Sequence, residues 1–291
     1  MDEYTRPVTE LIQQRFSCRE YRKDPIDATQ QQRLGNFISR NQEGPWQTPL
    51  RIELIAAVEQ DRVSLKNLGT YGFIKNPTGF IVGAVRPGEK YLEDYGYVLE
   101  RIILLATDIG LGTCWLGGTF TKSSFARRIS MTPEETMPAV TSVGYVAEQG
   151  AIRNLIHGKP STTDNRFPWS DLFFQAKFGN PLAPDEAGSY ARPLEMVRLG
   201  PSASNKQPWR VIKADHAWHF YLQRTRGYGD GLIFKMLRLE DLQRVDMGIA
   251  ISHFELTSRE LGLAGRWAVA EPAIEKPDEL TEYVASWIEQ D

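Results

Sequence analysis

Cysteine is almost missing from this 291-residue chain, with only Cys18 and Cys114. Two thiols build neither a disulfide framework nor a thiolate metal cage, and they suit a reducing, cytoplasmic setting. An excess of charge is missing too. Lys and Arg number 34 against 37 Asp and Glu, a net charge of −3. No basic field therefore awaits nucleic acid. Histidine is confined to His157, His216, His219 and His253. His216 and His219 surround a strand candidate with no third ligand, so no metal site is expected. His253 lies in a helical segment, where a surface or packing role is expected. The most apolar helix-like stretch, Tyr95 to Leu111, is broken by Glu100, Arg101 and Asp108. It falls short of the roughly 20 apolar residues that a membrane span needs. The segment MDEYTRPVTELIQQRF has no apolar core, so no secretory signal is expected there. A phosphate loop is absent. GLGTCW fails as a dinucleotide fingerprint, because Trp115 replaces its last glycine and a helical pattern precedes it.

What is present is ordinary for a folded protein: 41% hydrophobic, 24% charged and 11% aromatic residues. The length allows one large domain or two smaller ones. A hidden repeat decides how it is organised. Asp94–Trp115 and Asp246–Trp267 align without a gap. Asp94/Asp246, Gly96/Gly248, Leu104/Leu256, Gly110/Gly262, Leu111/Leu263 and Trp115/Trp267 are identical. Tyr95, Leu99, Ile102, Ala106 and Ile109 share one helical face of the first segment. Met247, Ile251, Phe254 and Leu261 share one of the second. A glycine at each helix end suits a left-handed cap. A second pair of blocks, from Ile38 and from Val197, matches Pro49 to Pro208 and Arg51 to Arg210, each followed by a short apolar strand. Further strands are expected at Gly79–Val85 and Trp218–Gln223, with last strands at Thr141–Ala147 and Trp267–Ala270. Each half then reads helix, loop, strand, strand, long helix, strand. The pattern predicts an α+β protein whose similar halves pack about a pseudo-two-fold axis. The halves join near residues 148–195, rich in Pro, Gly, Ser and Asp. Leu280, Tyr283, Val284, Trp287 and Ile288 fall on one helical face, which predicts a terminal helix docked on the body.

Four features could carry chemistry. RFSCRE places Arg15, Ser17 and Arg19 at alternate positions. Two guanidiniums and a hydroxyl can converge on an anion if the segment turns or opens a helix, and guanidinium forks fit phosphate bidentately. The alternative is a solvated charged stretch. GPSASNKQPW joins the small residues Ser202, Ala203 and Ser204 to Asn205 and Gln207 before a strand. Small side chains let a flat ring approach the backbone, and Asn205 both donates and accepts. The matching first-half loop, NQEGPWQTPL, lacks this polar set. CWLGGTF places Gly117-Gly118 after Leu116, where backbone N–H groups can face an acceptor. The second-half counterpart, RWAVAEP, has no such glycines. The fourth feature is Arg166, a lone cation before an apolar segment. Cys114 has no base near it in sequence and reads as a small buried residue.

Together these motifs resemble the nitroreductase family of flavin enzymes, over most of the chain. RFSCRE is similar to that family's Arg-x-Ser-x-Arg/Lys signature, and GPSASNKQPW to its Pro-Ser-x-x-Asn-x-Gln-Pro-Trp loop. GLGTCWLGG and Gly144–Glu148 resemble its long-helix end and final strand. The fused halves resemble in particular the single-chain branch labelled TM nitroreductases. The resemblance implies an internally duplicated three-layer α-β-α pseudo-dimer, with halves at 1–175 and 176–291 intertwined in one globular unit.

The family's members are normally homodimers with FMN at the interface. The resemblance therefore implies one FMN site per chain. The first half would give Arg15, Phe16, Ser17, Arg19, Leu116, Gly117 and Gly118. The second half would give Pro201, Ser202, Ala203, Ser204 and Asn205. Phe16 stands where the family has a second arginine. The usual C-terminal basic pair has no clear match, and Arg166 is its nearest substitute. Arg15, Ser17 and Arg166 would hold the phosphate and ribityl end. Arg19 would sit near the pyrimidine edge, Gly117-Gly118 near flavin N5, and Ser202–Asn205 along the other side. The flavin would do the chemistry, so no side chain need be a catalytic acid or base. NAD(P)H would be the transient donor and a small nitro compound or quinone the acceptor. A monomeric pseudo-dimer or weak homo-oligomer is implied. The alternatives are a flavin-binding protein without turnover, a structural duplicated protein, or other flavin chemistry.

Overall fold

Strands of β-branched and aromatic residues build two sheets, and the chain returns to the same plan twice. The computed structural model describes residues 4–56, 70, 72–118, 120–147, 165–228 and 240–290. Glu148, His157 and the first part of the expected join lie outside the described residues. The first sheet holds β1 (Leu50–Ala56), β2 (Gly79–Val85), β3 (Gly112–Leu116) and β4 (Val140–Gly144), all antiparallel, in the order β1-β2-β4-β3. The second holds β5 (Phe173–Gln175), β6 (Trp209–Ala214), β7 (Ala217–Gln223), β8 (Gly265–Ala268) and β9 (Thr281–Glu289), in the order β5-β6-β7-β9-β8. β5 lies parallel to β6, and the other pairs are antiparallel. Without β5, the second sheet has the strand order of the first.

The helices are α1 (Val8–Gln14), α2 (Ala28–Arg40), α3 (Tyr91–Asp108), α4 (Lys122–Arg128), α5 (Pro184–Ala187), α6 (Ala191–Leu199) and α7 (Leu242–Glu260). α3 and α7 cross between the two sheets. Ile81 and Val85 of β2 and Trp218, Phe220 and Leu222 of β7 face them in one core. The alternate residues Phe80, Val82 and Ala84 face outward to Phe125 of α4. In the first half this gives α-β-α layering, with the period of two setting which residue meets which layer.

α3 and α7 are buried on every side along most of their length. They cross on two glycines. A Cβ at Gly96 would stand 2.1 Å from the Val245 carbonyl oxygen, and one at Gly248 would stand 2.0 Å from that of Glu93. The two contacts are the same contact made twice, because Gly96 aligns with Gly248 and Glu93 with Val245. Such reciprocity is the mark of a two-fold contact. Both helices also end alike. Gly110 (φ 81°) and Gly262 (φ 71°) take the left-handed conformation. Leu111 N–H then donates to Ala106 O at 2.8 Å, and Leu263 N–H to Ser258 O at 2.9 Å, the six-to-one bond of a Schellman end.

Three sequence expectations change. The expected terminal helix is β9, the strand between β7 and β8. Its register shifts where Phe220 and Tyr221 face Ala285 and Tyr283, so Val284 is an extra residue. That bulge puts two apolar residues side by side, and the broken alternation mimics helical spacing. The last strands are also differently matched. β8 holds the sheet place of β3, and β9 holds the place of β4. The expected loop-rich join holds β5 and α5, and α6 begins in it. Among the described residues, no helix is long and apolar enough to cross a membrane.

Candidate functional site

Arg15 is placed by α1. Val8, Leu11 and Ile12 cluster with Leu104 of α3, Met196 and Leu199 of α6 and Leu256 of α7. Glu260 of α7 accepts from Thr9 N–H (3.2 Å) and Thr9 Oγ1 (2.9 Å), tying down the first turn. Arg15 closes α1, and the chain then extends rather than turning. Cys18 N–H donates to Thr113 O at 2.8 Å, and Ser17 bridges to Thr113, so RFSCRE runs along β3. Alternate residues of an extended segment share a side. Arg15, Ser17 and Arg19 accordingly all act on the Cys114 thiol. Burial pushes that thiol up, and the two cations and the Ser17 hydroxyl oppose the rise. Phe16 packs against the neighbouring cluster of Cys18, Cys114 and Val140. It also lines a cleft of about 170 Å³ with Gln14, Thr107 and Val146.

Arg15 is nearly inaccessible to solvent, at 4%. Its Nε has no hydrogen-bond partner and lies 3.7 Å from Glu100 Oε1. Burial lowers its pKa, and Glu100 opposes that. Arg166 comes from the segment that leads into β5 of the second sheet. Its Nη1 donates to Asn205 Oδ1 at 2.5 Å and its Nη2 to Leu199 O at 3.0 Å. Burial, with help from Arg15 and then Arg198, brings its pKa down to about 10. Arg198 is itself held bidentately by Glu195, at 2.7 and 2.6 Å. Buried Arg15 and half-buried Arg166 thus lie within electrostatic reach of each other, two cations of like charge.

The loop after α6 closes this site. Its backbone is strained, with Ser204 (φ 50°), Asn205 (φ 56°) and Gln207 (φ 48°) in the left-handed region. Such residues persist only when their surroundings fix them. Ala203 N–H donates to both oxygens of Asp246 on α7, at 3.0 and 3.1 Å. Burial pushes the Asp246 carboxyl well up. Ser202 Oγ accepts from Gln207 N–H at 2.9 Å. Gln207 Oε1 accepts from Phe167 N–H at 2.8 Å, and Asn205 Nδ2 donates to Asn165 O at 2.8 Å. The first half repeats the device: Asp94 of α3 accepts from Trp46 and Thr48 N–H at 3.1 and 2.9 Å. Pro201 is half-buried at the loop's start, and Ser204 is exposed.

Leu116 ends β3 and is buried. A Cβ at Gly117 would meet the Leu242 side chain at 2.3 Å. The small residue there makes room for the first residue of α7, whatever else it does. Gly118 follows, half-buried. The structure therefore joins Arg166 to Asn205 directly, brings Arg15 within electrostatic reach of Arg166, and sets Ser17 and Arg19 beside Arg15 along β3. Gly117 lies at the start of α7, one turn from the Asp246 that holds Ala203.

Two buried residues of this region were given no part in the site by the sequence, and for His253 the packing role of the two expected is the one that holds. Glu100 accepts from Trp115 Nε1 at 2.8 Å and meets His253 Nε2 at 3.0 Å. His253 is fully buried and its Nδ1 meets Met196 O at 2.9 Å, so a surface role is ruled out. A charged residue between Leu99 and Ile102, at the heart of an apolar helix, was the signal for Glu100.

Known proteins share this fold. The family model described as putative TM nitroreductase matches residues 7–258. A putative nitroreductase from Thermotoga maritima is 20% identical, with 99% of this chain and 96% of that one covered at a TM-score of 0.59. A nitroreductase family protein from Clostridium novyi is 21% identical, covering 50% of this chain and 87% of its own at a TM-score of 0.41. A nitroreductase with bound FMN from Desulfitobacterium hafniense is 17% identical, covering 50% and 90% at a TM-score of 0.39. No curated protein matches the chain.

Proposed function

The chain belongs to the putative TM nitroreductase family, and from that premise we propose an FMN-dependent oxidoreductase that takes hydride from NAD(P)H and passes electrons to a small acceptor such as a nitro compound or quinone. The observation that carries this reading is the pair of neighbouring cations, buried Arg15 and half-buried Arg166. Arg15 Nε lacks a hydrogen bond, and Arg166 is held beside it against mutual repulsion. A phosphate dianion relieves both costs at once, because charge-assisted hydrogen bonds from guanidinium to phosphate are among the strong ones. The residues present therefore fit the phosphate end of FMN.

In this reading Arg15, Ser17 and Arg166 hold the phosphate and ribityl end. Arg19 stands near the pyrimidine edge, and Leu116–Gly118 and Pro201–Asn205 line the ring from opposite halves. Bound FMN would supply two-electron chemistry, accepting hydride from a nicotinamide and reducing the acceptor. The side chains bind, orient and exclude water. The duplicated, pseudo-dimeric organisation belongs to the same proposal. The reciprocal Gly96 and Gly248 contacts and the recurring strand order support it. So does the division of labour, since each half brings motifs that the other lacks.

The test is the visible spectrum of the purified protein, before and after anaerobic addition of NADPH or NADH. A flavin spectrum near equimolar with the chain, bleached by one of the two, is expected. A colourless protein that gains no thermal stability from added FMN contradicts the cofactor assignment. A bound flavin that neither nucleotide bleaches contradicts the donor.

A further inference from the structure

The Glu100–His253 pair lies behind Arg15, where the proposed chemistry does not use it. Both side chains are fully buried. They come from α3 and α7, and their bond crosses the helix interface. His253 Nδ1 faces the carbonyl of Met196, at 2.9 Å. A carbonyl only accepts, so Nδ1 carries a hydrogen. His253 Nε2 stands 3.0 Å from Glu100 Oε1. Two lone pairs at that distance repel, so a second proton lies between them, on the ring or on the carboxyl.

This count fixes the charge behind the site. With the proton on the ring, an imidazolium cancels the carboxylate. With the proton on the carboxyl, both groups are neutral. In either arrangement the pair has no net charge, and the positive charge of Arg15 remains for a ligand. A lone carboxylate 3.7 Å from Arg15 Nε would instead neutralise the guanidinium and repel an incoming phosphate. The other neighbours leave this balance unchanged. Trp115 gives Glu100 a neutral N–H. The Cys114 thiol is pushed up by burial, and Arg166 adds positive charge.

We propose that His253 is a positioning residue for the cofactor site: by sharing a proton with Glu100 it leaves the positive charge of Arg15 uncancelled toward a phosphate. The inference rests on the FMN reading above. It differs from an ordinary structural role in one respect. Removing the histidine should harm phosphate binding only while Glu100 can ionise.

The experiment measures FMN and riboflavin affinity of apo-protein by quenching of flavin fluorescence, for wild type, His253→Gln, Glu100→Gln and the double variant. His253→Gln keeps a donor for Glu100 but brings no extra proton. It is expected to weaken FMN about tenfold or more and to leave riboflavin, which has no phosphate, within about threefold. Glu100→Gln should keep FMN within about threefold or tighten it, and the double variant should recover most of the loss, a non-additive cycle. A tenfold loss in Glu100→Gln, or a double variant weaker than His253→Gln, overturns the proposal. Equal losses for FMN and riboflavin overturn it as well. Should His253→Gln fail to fold, Glu100→Gln alone decides, since it preserves size and hydrogen bonding. Wild type that binds no FMN overturns the underlying reading and this proposal with it. Wild type that binds FMN through Arg15, with His253→Gln unchanged, overturns this proposal alone.

Discussion

Arg15→Ala is expected to weaken FMN binding about ten- to a hundred-fold. A hydrogen bond to a charged group is worth roughly 1.5–3 kcal/mol, and about 1.4 kcal/mol is a factor of ten in affinity. The side chain is buried and its Nε is unpaired, so water does not compete for it as it would at the surface. Riboflavin is the control, because it lacks the phosphate and should lose far less. Arg19→Ala should behave differently. Arg19 is exposed and lies further along the same extended segment, toward the proposed pyrimidine edge. A cation there favours the negative charge that reduction adds to the flavin. Its loss should lower the midpoint potential and cost less affinity. Affinity and potential measured for both variants at one salt concentration separate the roles. A potential that moves in Arg15→Ala and stays fixed in Arg19→Ala would invert them. No change in binding for either would remove RFSCRE from the cofactor site.

Gly96→Ala and Gly248→Ala should each destabilise the fold by about 2–3 kcal/mol, the upper part of the range for overpacked cores. The added Cβ would meet backbone oxygen at 2.1 Å in one case and 2.0 Å in the other. Backbone in a packed helix cannot swing aside as a flexible side chain can, so α3 and α7 must separate. The two losses should be similar, because the contacts are reciprocal. Gly35→Ala is the counterpart. Gly35 lies within α2, is exposed, and has nothing within 4 Å of an added Cβ. Alanine there should stabilise by roughly 0.5–1 kcal/mol, through helix propensity alone. Denaturant unfolding of the three variants checks this. Gly96→Ala as stable as wild type would mean that the helices do not cross as described.

Much of this architecture is legible in the sequence because local rules and tertiary packing agree there. The helices at Asp94 and Asp246 show a periodic apolar face and a terminal glycine, and the structure uses both. Pro49–Arg51 and Pro208–Arg210 lead into β1 and β6, which hold matching places once β5 is set aside, as their alignment implies. β9 was misread because its bulge at Val284 breaks the alternation by which a strand is recognised. β3 is short and ends in glycines, so it reads as a turn, although it forms the edge along which RFSCRE runs. The motifs proposed to hold the cofactor are visible as short polar clusters. Their neighbours are not, because those arise from distant contacts. Glu100 and His253 stand 153 residues apart in the chain, and only the crossing of α3 and α7 brings them together. The same holds for Arg166. In sequence it is a solitary cation, and it acquires meaning from Asn205 and Leu199 on one side and Arg15 on the other.

The central claim is that two unequal halves make one flavin site, and equilibrium titration of the apo-protein with FMN tests it most directly. Arg15, Ser17 and Arg19 occur in the first half, and Pro201–Asn205 in the second. The pseudo-symmetric position has NQEGPWQTPL in place of the loop and no glycines in RWAVAEP. The account predicts saturation at about one FMN per chain, with Arg15→Ala shifting the affinity and not the end point. Two equivalent FMN per chain, or an affinity that Arg15→Ala leaves unchanged, would contradict it.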